Sequence, residues 1–207
     1  MKNYVYGLIL LFSTQLMTQS SVFAADKNTI LVFGDSLSAA YNMKPEDGWV
    51  SLLREHLIEE DISYRVVNAS ISGETTGGGL ARFKDQLESS SPDIVILELG
   101  ANDGLRGFKL NIPKKNLKEM IQLSLTSGAK VLLAGIRIPP NYGRTYTQRF
   151  HQIYQDLAKS ENIQLIPFIM EGIATKPRLM QLDRIHPNPA GQKVMFENVL
   201  PHLLPML

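Results

Sequence analysis

A serine directly follows an apolar segment of the chain, in a position that suits a nucleophile. Residues 30–33 form an apolar run typical of a buried β-strand, and Gly34, Asp35 and Ser36 end it. Because a helical pattern follows, backbone N–H groups and the positive end of a helix dipole are expected to gather around the Ser36 hydroxyl. Such a hydroxyl can attack an acyl carbon. The alternative is an ordinary turn in which Asp35 and Ser36 cap the next helix.

Three further polar segments follow other apolar runs and can complete such a site. The turn at 68–75 contains Gly73, whose N–H can approach a ligand because no Cβ stands in the way. A later turn contains Asn102, whose side-chain amide is a hydrogen-bond donor. Asp183 and His186 are three residues apart, which can bring them onto one face of a turn. Each feature alone fits a turn or a surface capping pair, but together they supply the parts needed for acyl transfer.

Each of these residues has a defined role in that chemistry. His186 would accept the proton of Ser36, because a serine hydroxyl is a poor nucleophile until a neighbouring base removes its proton. Asp183 would bind the second ring nitrogen and hold the imidazole in the required tautomer. The N–H groups of Ser36 and Gly73, with the amide of Asn102, would form an oxyanion hole, in which loss of one donor typically costs about 3 kcal/mol. The residues therefore predict an ester hydrolase.

The segments that position these residues alternate between strand-like and helix-like patterns. The apolar runs predicted as strands are 29–33, 64–67, 94–99, 131–134 and 164–168, helical spacings lie between them, and a last helix is expected at about 189–203. Uniformly apolar strands are typical of a parallel sheet covered on both faces. The sequence thus predicts a three-layer, doubly wound α/β sandwich with a five-stranded parallel sheet. Ligands bind at the carboxyl ends of the strands in such folds, where the polar segments are expected to lie.

The four polar segments resemble the sequence blocks of the SGNH hydrolases, also called the GDSL esterase and lipase family. They are Gly-Asp-Ser-Leu-Ser at 34–38, Asn-Ala-Ser-Ile-Ser-Gly at 68–73, Gly-Ala-Asn-Asp at 100–103 and Asp-Arg-Ile-His-Pro-Asn at 183–188. Residues 102–107 and 140–144 are similar to the exported bacterial thioesterase, lysophospholipase and arylesterase branch. The resemblance implies the flavodoxin-like SGNH fold and an acyl hydrolase that cleaves aryl esters, acyl thioesters and lysophospholipids. It also implies that no metal or other cofactor is used.

Apolar residues in the loops beyond the strands are expected to bind the acyl chain, since burial is not obligatory there. The predicted substrate-binding residues are Leu105, Phe108, Ile138 and Tyr142, with Leu110 and Ile112 as further candidates. The alternative is that these side chains only cover the core.

The first 24 residues have the pattern of a secretory signal peptide. Lys2 is followed by a short apolar run at 4–12, which is too short to span a bilayer. Val22 and Ala24 supply small residues at positions −3 and −1, so cleavage is predicted after Ala24. The mature chain, 25–207, is predicted to be a single domain located in the periplasm or secreted, without stable membrane insertion.

The cysteine count and the net charge of the chain indicate which partners and anchors are not expected. The chain has no cysteine, so it needs no disulfide and lacks the residue that a bacterial lipoprotein anchor requires. The formal net charge is +1, and removal of Lys2 with the signal leaves the mature chain neutral. Since no basic block is present either, nucleic acid is not an expected partner.

Three other functions fit part of the pattern. A carbohydrate acetylesterase is the nearest alternative, because related SGNH proteins deacetylate sugars. A non-catalytic, exported lipid-binding module on an inactive hydrolase scaffold is the second. The third, metal-dependent phosphoester hydrolysis through Asp35, Asp183 and His186, lacks a dense cluster of ligands.

Several polar residues fall outside this scheme. Glu98 lies inside an apolar strand and requires a partner, whereas Asp35 and Asp103 are expected to form turns. The histidines expected to be solvated or structural are His56, His151 and His202.

Overall fold

The computed structural model describes Met1 and residues 28–207. The predicted cleavage site and, apart from Met1, the predicted signal peptide lie outside these described residues. Five strands form one parallel sheet in the order β2-β1-β3-β4-β5. They are β1 (Asn28–Gly34), β2 (Tyr64–Asn68), β3 (Ile94–Glu98), β4 (Lys130–Ala134) and β5 (Gln164–Ile166). The predicted α/β fold class is confirmed.

Helices follow the strands along the chain and cover both faces of the sheet. They are α1 (Trp49–Glu59), α2 (Thr76–Ser90), α3 (Ala101–Leu105), α4 (Asn111–Thr126), α5 (Arg144–Glu161) and α6 (Pro189–Leu203). Short 3-10 turns lie at Pro45–Asp47, Pro140–Tyr142, Pro177–Leu179 and Leu204–Met206. Among residues 28–207, no helix combines the length and the apolar character needed to cross a bilayer.

The strands contribute alternate residues to two cores. On β1, Ile30 and Val32 pack into one core, which α1 and α6 cover. Leu31 and Phe33 pack into the other, which α2, α4 and α5 cover. Because both faces of the strand are buried, each of its central residues is apolar, and this explains why the run is uninterrupted in the sequence.

The predicted strand bounds differ from the structure by one residue at several strand ends and by two residues at the end of β5, where proline explains the difference. β5 ends at Ile166 rather than at Phe168, because Pro167 has no N–H with which to extend the ladder. α4 begins at Asn111 and contains Pro113 as its third residue. A proline is tolerated there because N–H groups of the first turn have no acceptor within the helix.

The segment that carries Asn102 is helical from its first residues rather than a simple turn. Gly100 has a φ of 118°, a left-handed value that favours glycine. A Cβ at this position would collide with the Tyr154 hydroxyl, which donates to the Leu99 carbonyl oxygen at 2.9 Å. α3 can therefore begin directly after β3, and Asn102 lies in its first turn.

Candidate active site

The side chains of Ser36, His186 and Asp183 form a hydrogen-bonded series beyond the carboxyl end of β1. His186 Nε2 lies 2.9 Å from Ser36 Oγ, and His186 Nδ1 lies 2.7 Å from Asp183 Oδ2. Because a carboxylate only accepts hydrogen bonds, Nδ1 carries the ring proton and Nε2 offers its lone pair to the serine hydroxyl. Residues 150 positions apart in the sequence thus meet in the arrangement of a nucleophile, a base and an orienting acid.

The loop that carries the acid and the base is built around the Asp183 side chain. Asp183 Oδ1 accepts hydrogen bonds from the N–H groups of Ile185, at 2.9 Å, and His186, at 3.0 Å. Partial burial raises the pKa of Asp183, but the hydrogen bonds from the His186 ring and from these two N–H groups outweigh it and hold the pKa below its ordinary value. Asp183 is therefore a carboxylate across the neutral range and can stabilise a positive imidazolium.

An aromatic residue that the sequence analysis missed packs against the base. The ring of Tyr41 lies 4.5 Å from the His186 ring, centroid to centroid, with 38° between the planes. Gln181 connects the two loops, because its side-chain amide donates to the Tyr41 carbonyl oxygen at 2.9 Å and its N–H donates to the His186 carbonyl oxygen at 2.8 Å. Tyr41 follows Ser36 by five residues, but nothing in its local pattern indicates contact with a histidine so distant in sequence.

The predicted oxyanion donors lie around the same serine. The N–H groups of Ser36 and Gly73 make no hydrogen bond with any residue that the structure describes. Gly73 has a φ of 80°, and no atom lies within 4 Å of the position a Cβ would take. The Asn102 side-chain nitrogen donates to Asp35 Oδ2 at 3.1 Å and to the Glu74 carbonyl oxygen at 3.0 Å. The last bond brings the amide next to the peptide that joins Glu74 to Thr75, one residue beyond Gly73.

Hydrogen bonds to the end of β1 and to α3 fix the loop that carries Gly73. The Ile71 N–H donates to the Gly34 carbonyl oxygen at 3.1 Å. The Arg106 guanidinium donates to the Gly73 carbonyl oxygen, also at 3.1 Å. The Gly73 peptide is thereby held between the strand that precedes Ser36 and the helix that carries Asn102.

Asp35 has a larger role than the turn residue predicted from the sequence. It is fully buried, and its Oδ1 accepts from the Leu37 N–H at 3.2 Å while its Oδ2 accepts from Asn102. Burial raises the pKa of Asp35 to about 7, against the lowering effect of these two hydrogen bonds. The side chain therefore links the backbone just after Ser36 to the amide of Asn102.

Asp103 also does more than form a turn. Its two carboxyl oxygens accept from the Thr76 hydroxyl, at 2.6 Å, and from the Thr76 N–H, at 2.8 Å. The Asp103 side chain is fully buried. It therefore fastens the start of α2 to α3, next to Asn102.

The buried partner that the sequence required for Glu98 is Ser38. Ser38 Oγ donates to Glu98 Oε2 at 2.7 Å, and the Asp35 N–H approaches the same oxygen at 3.3 Å. Glu98 Oε1 has no partner among the described residues. Burial, and then the charge of Asp35, raise the pKa of Glu98 well above its ordinary value. Burial next to Asp35 thus favours the protonated form of Glu98, directly behind the Ser36 turn.

A groove of about 540 Å³ opens beside the serine and is lined by Ser36, Asn102 and His186. Of the predicted substrate-binding residues, the structure places Leu105 and Ile138 in its wall. Gly104 allows this packing, since a Cβ there would lie 2.8 Å from Ile138 Cγ2. The groove is therefore mainly apolar and reaches from the reactive groups into the loop after β4.

Phe108 and Tyr142 do not line this groove. The loop after α3 is held against α5, because the Tyr146 hydroxyl donates to the Phe108 carbonyl oxygen at 2.8 Å. Tyr142 lies in the exposed 3-10 turn that follows β4, in which Pro140 contacts the groove instead. The further candidates Leu110 and Ile112 are also absent from the wall.

The far wall comes from the irregular segment after β5, which the sequence analysis did not identify. Its apolar contributors are Phe168, Met170, Ala174 and Met180. These residues have neither the period of a strand nor that of a helix, so no pattern distinguishes them from core residues.

The remaining histidines lie away from this site. His151 Nδ1 is 3.2 Å from the Ile136 carbonyl oxygen, and burial lowers the pKa of His151. The His56 ring packs edge-on against Phe196, with the centroids 5.5 Å apart. Within residues 28–207, no group of three or more His, Asp or Glu side chains is arranged to hold a metal ion.

Comparison with known proteins agrees with this geometry. The profile of the GDSL-like Lipase/Acylhydrolase family matches residues 32–194. The chain is 45% identical over 198 residues to an arylesterase of Vibrio mimicus, a match that covers 96% of each protein. It is 42% identical over 184 residues to thioesterase 1/protease 1/lysophospholipase L1 of Escherichia coli (strain K12), covering 89% of this chain and 87% of that protein. The crystal structure of TesA superposes with a TM-score of 0.85 at 48% identity and covers 87% of this chain and 100% of that one. The chain belongs to the GDSL-like lipase and acylhydrolase family.

Proposed function

We propose that the protein hydrolyses carboxylic esters and thioesters through an acyl-enzyme formed on Ser36. The observation that carries the proposal is the pair of short distances made by His186, 2.9 Å to Ser36 Oγ and 2.7 Å to Asp183 Oδ2. Membership of the family and the names of the relatives support the same reaction class.

The first half of the reaction acylates the serine. His186 Nε2 takes the proton of the Ser36 hydroxyl as the oxygen attacks the acyl carbon, and Asp183 stabilises the imidazolium that forms. The tetrahedral intermediate then collapses, His186 returns the proton to the departing alcohol or thiol, and an acyl ester remains on Ser36. In the second half, a water molecule follows the same route, the carboxylic acid leaves, and the serine is regenerated.

The oxyanion of each tetrahedral intermediate needs donors that are positioned in advance. The N–H groups of Ser36 and Gly73 suit this role because neither has an acceptor among the described residues. Both protons of the Asn102 amide are engaged, one with Asp35 and one with the Glu74 carbonyl oxygen. Asn102 therefore serves the oxyanion by sharing or releasing the bond to Glu74, while Asp35 keeps the amide in place.

The apolar groove favours the binding of substrates whose acyl group is longer than acetyl. Leu105, Ile138 and Met170 contribute apolar surface to its wall, and an alkyl chain placed there would leave water. The arylesterase and thioesterase names of the relatives fit aryl-ester and acyl-thioester substrates, with lysophospholipids as a third class. A carbohydrate acetylesterase would instead prefer an acetyl group.

The test is hydrolysis of p-nitrophenyl esters from acetate to palmitate, measured with and without a chelator. The wild type is expected to turn over esters longer than acetate best. Ser36→Ala is expected to lose at least about a thousandfold in kcat. Ser72→Ala, in the exposed turn before Gly73, is the matched control and keeps its activity. A preference for acetate would favour the acetylesterase, an inert wild type would favour a binding module, and loss of activity on chelation would favour a metal-dependent reaction.

We further propose that the mature protein is the single domain 25–207, released by cleavage after Ala24 and located in the periplasm or secreted. Residues 28–207 share one sheet and two cores, which supports a single domain. The N-terminal mass of the protein recovered from the periplasm and from the medium tests both the cleavage site and the location.

A further inference from the structure

The charged residues that line the groove all carry a positive charge. Two arginines, Arg137 and Arg184, are among its lining residues, whereas none of these residues is an aspartate or a glutamate. Arg137 already has neighbours, since its guanidinium lies 3.9 Å from Glu171 Oε2 and 4.9 Å from the centre of the Phe168 ring. The side chain of Arg184 makes no ion pair or hydrogen bond with the residues that the structure describes.

The position of Arg184 places it near the leaving-group end of a bound substrate. It lies in the loop between Asp183 and His186, two residues before the base. In acyl transfer the base returns its proton to the leaving group, so the leaving group must lie on the side of His186. The acyl oxygen lies on the opposite side, toward the N–H groups of Ser36 and Gly73. A cation on the His186 loop is therefore placed to contact the alcohol or thiol part of the substrate.

The backbone at this residue is unusual for an arginine. Arg184 has a φ of 57°, in the left-handed region that side chains other than those of glycine and asparagine seldom adopt. Such conformations are concentrated at functional sites, where the side chain has a role that offsets the strain. A glycine would form the same turn more easily, so the presence of arginine calls for an explanation through its side chain.

We propose that Arg184 binds an anionic group, a carboxylate or a phosphate, on the leaving group of the substrate. The guanidinium presents a planar set of N–H donors that matches both anions, and it keeps its charge at every physiological pH. The apolar wall of the groove takes the acyl chain, and Arg184 selects among substrates of equal chain length. This inference rests on the proposed function, because it takes its orientation from the acyl transfer at Ser36.

The experiment compares two butyrate esters that differ by one carboxylate, p-nitrophenyl butyrate and 3-carboxy-4-nitrophenyl butyrate. The measured quantity is the ratio of kcat/KM for the carboxylated ester to that for the neutral ester. The ratio is expected to fall about five- to tenfold in Arg184→Gln and Arg184→Gly at low ionic strength, and to fall less in Arg184→Lys, which keeps the charge but not the planar set of donors. Arg184→Gly accepts the positive φ, so a loss in this variant does not arise from a misfolded loop.

Arg149→Gln, an exposed arginine of α5 outside the groove, is the matched control and keeps the wild-type ratio. The same comparison between lauroyl glycerol and lauroyl glycerol phosphate extends the test to phosphate, with the same loss expected in Arg184→Gln. Ratios that stay within twofold of the wild type in Arg184→Gln for both substrate pairs would overturn the role of Arg184 while leaving ester hydrolysis intact. If the wild type cleaves neither member of either pair, the proposed function itself fails.

Discussion

Replacement of Glu98 by glutamine is expected to change how the stability of the protein depends on pH. Glu98 is fully buried on β3, and its raised pKa keeps it protonated in the folded chain at pH values where it ionises in the unfolded chain. The folded state then binds one more proton than the unfolded state, so the free energy of unfolding decreases as pH rises. This contribution is complete below the ordinary pKa of 4.5 and is lost as pH approaches the raised value.

The size of this pH effect on the free energy of unfolding follows from the release of one proton by Glu98 on unfolding. At pH values between 4.5 and the raised pKa of Glu98, the difference in unfolding free energy between Glu98→Gln and the wild type should shift in favour of the variant by about 1.4 kcal/mol per pH unit. The glutamine keeps an acceptor for Ser38 but leaves its NH₂ group where Oε1 has no partner, which costs about 1 kcal/mol. Glu98→Gln should therefore be less stable than the wild type by about 1 kcal/mol at low pH, where Glu98 is protonated in both states, and should gain stability relative to the wild type as pH rises.

Urea unfolding at pH 5, 6 and 7 provides the assay, with the fluorescence of the single tryptophan, Trp49, which is fully buried on α1, as the signal. Glu119→Gln, at an exposed position of α4, is the control, since its surroundings change little on unfolding. Parallel stability curves for Glu98→Gln and the wild type between pH 5 and pH 7 would refute the raised pKa of Glu98.

Three further predictions concern the groups around the serine and the packing beneath the groove. Asn102→Ala should lower kcat for p-nitrophenyl butyrate at least about a hundredfold, and Asp35→Ala should lower it about tenfold. If Asp35 acts through the Asn102 amide, the double variant should be no slower than Asn102→Ala. Additive losses in the double variant would contradict this link. Tyr41→Ala should lower kcat severalfold because the His186 ring loses the aromatic ring that packs against it, whereas Tyr41→Phe should keep the wild-type kcat. Equal rates for the two variants would show that this ring contact has no role. Gly104→Val should lower the unfolding free energy by about 2 kcal/mol, because even its Cβ would lie 2.8 Å from an Ile138 methyl group; an unchanged urea midpoint would disprove this packing argument.

The sequence was sufficient to predict the fold class because the relevant signals are local. The central strands β1 and β3 are buried on both faces, so Ile30 to Phe33 read as one apolar run. Glycine and proline mark the ends of several elements. The residues of the candidate site could be predicted for a similar reason. Ser36 and Asn102 follow strand ends, which parallel topology brings to one edge of the sheet.

The parts that the sequence did not predict depend on contacts between distant segments. The roles of Asp35 and Glu98 arise from burial beside each other, although 63 residues separate them. The wall formed by Phe168 and Met170 comes from an irregular segment, whose apolar residues have no period to indicate a groove. Phe108 lies outside the wall of the groove, in a loop that a hydrogen bond from Tyr146 of α5 holds.

The most direct test of the central claim is covalent labelling with a serine-directed alkyl phosphonate, followed by intact mass measurement and peptide mapping. The phosphonate is attacked by an activated serine and leaves a stable adduct on its oxygen. The wild type and Ser72→Ala are predicted to gain one adduct, on Ser36, and to lose esterase activity in proportion, while Ser36→Ala gains none. An active wild type that stays unlabelled, or an adduct that forms equally on Ser36→Ala, would contradict acyl transfer through Ser36.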